Sequence, residues 1–165
     1  MRIVVCDTGP VLHLEEAGVL ELLGRMGEVL IPPSVDQEVQ SLRTDWTTMR
    51  PAWLRVTPLP ESLGAGVREL RDAAGLGPGE AEAIVLARHL RADWLLTDDA
   101  GARVLASTLG LEVHGSLGVI LWAAATGHTD LPGALASLDR LARSSLWVTP
   151  AVLAEARKAL RRLLG

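Results

Sequence analysis

The feature that most constrains this chain is where its apolar runs stop. Ile3-Val4-Val5-Cys6 is a short, largely β-branched run with no polar alternation, and it ends directly on Asp7. Such a run fits a strand buried on both faces. Trp94-Leu95-Leu96-Thr97 is a second strand, and it ends directly on Asp98-Asp99. Helical stretches separate these runs, so strand and helix alternate through the first two-thirds of the sequence. That alternation predicts an α/β protein with a mainly parallel central sheet and helices on both faces. In open sheets of this kind ligands bind outside the carboxyl ends of the strands. The acids that follow the two runs are therefore the first candidates for a site.

The remaining elements follow the same reading. A helical stretch covers Val11 to Leu23, interrupted near Gly18, and Val29-Leu30-Ile31 is a strand stopped by Pro32-Pro33. Ser34 is placed to cap a helix that runs to about Leu42. Arg43 to Pro60 resists assignment, with one candidate strand at Leu54 to Thr57. Helices are predicted at Leu63 to Ala74, at Pro78 to Leu90 and at Ala100 to Leu109, with a strand at Leu111 to His114. Pro78 suits the first turn of its helix. Helices at Leu117 to Ala125, Leu131 to Ala142 and Pro150 to Leu163 close the chain, and the last two carry a basic, amphipathic end.

Composition bounds the function. At 165 residues the chain fits one domain, residues 1–165, with extra helices at about 130–165 and no internal repeat or linker. A net charge of −4 argues against gripping nucleic acid by bulk positive charge, but not against an enzyme that meets it through a metal and a local patch. Cys6 is the only cysteine, so no intramolecular disulfide can form, which fits a reducing cytoplasm. The longest non-polar run, Leu117 to Ala125, is too short to span a membrane, and the N-terminus meets an acid too early for a signal peptide. A cytoplasmic protein is expected. The absence of Phe and Tyr beside five Trp reads as compositional bias.

Two further acids join the first set. On the helix after Pro33, Val35, Val39 and Leu42 define an apolar stripe, and at about 100° per residue Glu38 lies only about 60° from its centre. A carboxylate so close to a buried face either finds a partner or snorkels to water. Glu80 opens the helix at Pro78 and shares a side with Ile84 and Ala87. Each acid also has a plain structural reading. Asp7, Asp98 or Asp99 can cap the helix that follows it, Asp99 can pair with Arg103, and Glu80 can simply favour a helix N-terminus. Taken together, Asp7, Glu38, Glu80 and Asp98 are explained most simply by a hard cation held by oxygen ligands, Mg²⁺ or Mn²⁺ rather than zinc. The four histidines lack zinc-ligand spacing.

These segments resemble PIN domains. The resemblance rests on Val-Val-Cys-Asp7-Thr-Gly-Pro, Pro-Ser-Val-Asp-Gln-Glu38-Val, Gly79-Glu80-Ala-Glu-Ala, Leu-Leu-Thr-Asp98-Asp99-Ala-Gly-Ala-Arg and Gly115-Ser-Leu-Gly-Val-Ile-Leu, in that order. It runs from the N-terminus to about Ala125 and leaves the basic C-terminal helices outside. It implies a Rossmann-like three-layer fold and a metal-dependent nuclease acting on single-stranded RNA. Many such proteins are toxins of toxin–antitoxin pairs and form homodimers, so a second copy and an antitoxin are implied partners. Asp7, Glu38, Glu80 and Asp98 match the family's acidic quartet, with Asp99 as a competing ligand and Asp98 favoured as nearer the strand. The hydroxyls of Thr8 and Thr97 match supporting positions. Arg103 is a candidate for the nucleic-acid backbone. A PIN-like module that binds without cutting is the alternative. Receiver domains and Asp-x-Asp phosphatases fit poorly, because the only lysine is Lys158 and position 9 is glycine.

Overall fold

A computed structural model describes all 165 residues. Five strands, β1 (Ile3–Cys6), β2 (Glu28–Ile31), β3 (Leu54–Val56), β4 (Trp94–Leu96) and β5 (Val113–His114), form one sheet in the order β3-β2-β1-β4-β5. Every pairing is parallel. The chain builds outward from β1 to β3 on one side, then returns to the other side of β1 with β4. The reversal of strand order thus falls between β1 and β4, and such a switch point opens a crevice at the strands' carboxyl ends.

Side chains alternate across the sheet and are buried on both faces. Val4, Cys6, Val29, Ile31 and Leu96 enter one core, and Val5, Leu30 and Leu95 enter the other. The helices are α1 (Thr8–Glu16), α2 (Glu21–Gly24), α3 (Pro33–Leu42), α4 (Trp46–Met49), α5 (Gly64–Ala74) and α6 (Pro78–His89), followed by α7 (Ala100–Thr108), α8 (Ser116–Ala125), α9 (Leu131–Ala142) and α10 (Pro150–Leu164). The first core is covered by α1 to α4 and by α8 to α10, and the second by α5 to α7. This is the three-layer α/β arrangement with an all-parallel sheet.

Three local expectations change. The first helix begins at Thr8 rather than Val11, because Asp7 caps it through Thr8 N–H at 2.7 Å. Ser34 does not cap α3. The helix starts at Pro33 with Pro32 in extended conformation before it, and Ser34 N–H donates to Glu82 Oε2 at 3.0 Å. The unassigned stretch holds α4 as well as the candidate strand. Trp46 is buried there, and its indole N–H donates to Asp36 at 2.9 Å.

Candidate metal centre

The carboxyl edge of the sheet opens into a cavity of about 360 Å³ whose walls include Asp7, Glu38, Glu80, Asp98 and Asp99. Five acids from four separate segments therefore meet at the switch point. No cation neutralises Asp7, Glu38, Glu80 or Asp99, since none of them forms an ion pair with Lys, Arg or His.

Asp7 is the deepest of them, 4% exposed at the end of the central strand. Its Oδ1 accepts from Thr8 N–H and its Oδ2 from Thr97 Oγ1, at 2.7 and 2.9 Å. Burial pushes its carboxyl up from 3.8 to about 7, with Glu80 and Glu38 adding repulsion, and the bonds from Thr8 and Thr97 oppose the rise. Thr97 Oγ1 also accepts from Asp99 N–H at 3.2 Å, so one hydroxyl ties the ends of β1 and β4 together.

Glu38 projects from α3 toward the starts of two other helices. It accepts the hydroxyl of Thr8 and the backbone N–H of Gly79, the latter at 3.0 Å. A Cβ at position 79 would lie 2.6 Å from Glu38 Oε2, so the close approach requires glycine there. The carboxylate thus has partners within the protein, which accounts for its place beside the apolar stripe.

Glu80 is half-buried, and Gly77 N–H donates to its Oε2 at 2.9 Å. It therefore caps its own helix while facing the cavity. Burial raises its pKa, the Gly77 bond opposes this, and Asp99 and Glu38 add to the rise.

The adjacent aspartates have different surroundings. Asp98 accepts from Ser116 N–H on Oδ1 at 2.7 Å; its Oδ2 meets Ser116 Oγ at 2.5 Å and His13 Nδ1 at 2.7 Å. Its side chain is only 8% exposed. Asp99 caps α7 through Ala102 N–H at 2.7 Å with Oδ1, and its other oxygen has no partner in the protein. The charge of Asp99 adds to the rise at Glu80. The surface pair between Asp99 and Arg103 does not form. Arg103 is exposed and unpaired, in a neighbouring cleft that also contains Asp98 and Gly115.

Sequence reading missed His13, Ser116 and the segment Ser145-Leu146-Trp147, which all lie at or beside the cavity. His13 is four residues beyond Gly9 and shares its side of α1, a spacing that could have flagged it once the helix start was known. The 145–147 segment carries no periodic signal. It is brought back to the site by Glu16, whose carboxylate accepts from Ser145 N–H at 2.8 Å and Ser145 Oγ at 2.6 Å.

The donor set suits a hard divalent cation: all the candidate ligands are carboxylate oxygens in an open, polar cavity. As they stand, no three of them converge tightly enough to ligate one ion.

Fold and site together define an α/β protein with an acidic, oxygen-lined centre at the switch point of a parallel sheet. A family model described as a PIN domain matches residues 3–162, and the chain belongs to that family, whose members are in general metal-using nucleases. The match extends through the C-terminal helices, beyond the segments that carry the resemblance. No curated protein and no solved structure gives a significant match.

Proposed function

We propose that the protein is a Mg²⁺- or Mn²⁺-dependent endoribonuclease that hydrolyses phosphodiester bonds of single-stranded RNA. The observation that carries this reading is the meeting of Asp7, Glu38, Glu80 and Asp99 in one cavity with no counter-cation from the chain. In this reading Asp99 takes the place of Asp98 in the ligand set, because Asp98 is already engaged in three hydrogen bonds, two from Ser116 and one with His13, while Asp99 keeps one oxygen free.

When bound, the ion offsets charge on the phosphodiester and makes a water molecule easier to deprotonate. The chain's own residues build the frame for it. Thr8 N–H and Thr97 hold Asp7, Thr8 Oγ1 and Gly79 hold Glu38, and His13 and Ser116 hold Asp98 in the same cavity wall. Arg103 stands outside this frame as an unpaired cation for a neighbouring phosphate. Action as the toxin of a toxin–antitoxin pair, homodimerisation and a cytoplasmic setting belong to the same proposal and rest on the family resemblance.

Cleavage of a mixed RNA pool in Mn²⁺, with Asp7→Asn as control, tests the reading. Fragments from the wild-type chain but not the variant support it. A folded, metal-loaded protein that leaves RNA intact identifies a binding module instead.

A further inference from the structure

Four of the five tryptophans belong to the interior: Trp46 is buried, and Trp53, Trp94 and Trp122 pack against the first core. Trp147 is the exception. It is 85% exposed, yet it lies in a well-anchored segment. Ser145 before it is tied to Glu16, Leu146 packs against the core, and Thr149 after it caps α10. The connection between α9 and α10 therefore presents an indole to solvent from a fixed backbone.

Its position gives that exposure a use. Trp147 lines the acidic cavity and also the adjoining cleft that contains Arg103. The Arg103 side chain forms no ion pair or hydrogen bond, and its Nη1 lies 2.8 Å from where a Gly115 Cβ would stand, so the guanidinium lies along the wall of that cleft. An apolar ring and a free cation thus flank the mouth of the acid cluster. A nucleotide offers the same pair in complementary form, a flat base and a phosphate.

We infer that Trp147 is a stacking platform for an unpaired nucleobase, with Arg103 engaging an adjacent backbone phosphate of the strand that enters the acid cavity. The inference rests on the nuclease reading and sharpens it: stacking on an exposed indole needs a base free of its complement, so the platform selects single-stranded substrate. Stacking tolerates any base, whereas the arginine contact follows the backbone charge.

The test uses the full chain carrying Asp7→Asn, so that RNA is bound without being cut. Binding of a short fluorescein-labelled single-stranded oligoribonucleotide is followed by anisotropy, with its duplex form as comparison. Adding Trp147→Ala should weaken single-strand binding roughly tenfold to a hundredfold, while Trp147→Phe keeps most of it. Arg103→Ala should weaken binding and flatten its salt dependence by about 0.7 in log–log slope. The duplex should bind less tightly than the single strand and ignore Trp147→Ala. Equal binding by parent and Trp147→Ala overturns the inference alone. So does a Trp147→Ala variant that binds RNA normally but changes its oligomeric state in sedimentation, which would assign the indole to a protein contact. A parent that binds no RNA, together with a wild-type chain that cuts none, overturns the nuclease reading as well. Unchanged melting of the Trp147 variants, expected for so exposed a side chain, shows that any loss is not unfolding.

Discussion

Thr97 Oγ1 donates to Asp7 Oδ2 across 2.9 Å, linking the residue that follows β4 to the one that follows the central strand. The two residues are ninety positions apart in sequence, and adjacent parallel strands place them side by side. Thr97 is 1% exposed and Asp7 4%. A buried carboxylate in the company of other acids depends on such bonds, and its protonation has consequences for the whole fold.

In the metal-free protein, stability should fall as pH rises from about 4 to about 7. Burial raises the Asp7 carboxyl from 3.8 to about 7, so within that window the folded chain holds a proton that the unfolded chain has released. The stabilisation is complete below the unfolded value and is lost as pH passes the folded one. At about 1.4 kcal/mol per pKa unit the swing is on the order of 4 kcal/mol. Asp7→Asn should flatten much of this dependence and make the apo protein more stable than wild type at pH 8. Urea denaturation of both proteins across the pH range checks it; parallel curves would exclude Asp7 as the source.

Divalent metal should reverse that deficit. Mg²⁺ or Mn²⁺ bound only to the folded state stabilises it by about 2.7 kcal/mol at a hundredfold excess over Kd. For a chain of this length that corresponds to roughly 5–10 °C in Tm. The shift should be largest near pH 8, where Asp7 is ionised, and should disappear in Asp7→Asn. Calorimetry with and without Mn²⁺ measures it, and an unchanged melting temperature would count against the metal centre.

The two adjacent aspartates should separate cleanly. Asp98→Asn removes the acceptor shared by His13 and Ser116, so it should destabilise the protein by about 1–3 kcal/mol while metal-dependent stabilisation persists. Asp99→Asn keeps a good helix cap and should leave apo stability within about 0.5 kcal/mol, yet abolish most of the metal shift. Thermal denaturation of both variants with and without Mn²⁺ distinguishes the roles; the opposite pattern would return the ligand to Asp98.

That distinction also shows what the sequence could and could not reveal. The ends of β1 and β4 were legible because buried parallel strands are written as continuous apolar runs, and the acids after them are counted directly. Glu38 was legible from its angle to an apolar stripe. Both Asp98 and Asp99 line the cavity, and what separates them is their hydrogen-bonding partners, Ser116 and His13 for one and the α7 N-terminus for the other, which are set by the path of the chain as it leaves β4. His13 was hidden because the N-cap at Asp7 starts α1 three residues before the apolar pattern begins. Trp147 was hidden for a different reason. Its segment has no period of its own, and its place is set by the bond between Glu16 and Ser145, which are more than a hundred residues apart.

The tightest approach in the centre offers the sharpest check on Glu38. A Cβ on Gly79 would stand 2.6 Å from Glu38 Oε2 and 2.9 Å from its carboxyl carbon, far inside contact distance. Gly79→Ala must therefore push the carboxylate away from both Thr8 and the α6 N-terminus, costing about 1–3 kcal/mol and weakening the metal shift. Helix propensity acts in the other direction, since alanine is favoured over glycine by about 1 kcal/mol in a helix interior. If the clash is with Glu38, shortening that side chain should relieve it. In Glu38→Ala the added Gly79→Ala should cost little or even stabilise, giving a coupling energy of about 1–2 kcal/mol between the two positions in a double-mutant cycle. Additive losses would mean that Gly79 is required by some other neighbour, and that Glu38 is not held at the mouth of the cavity by α6.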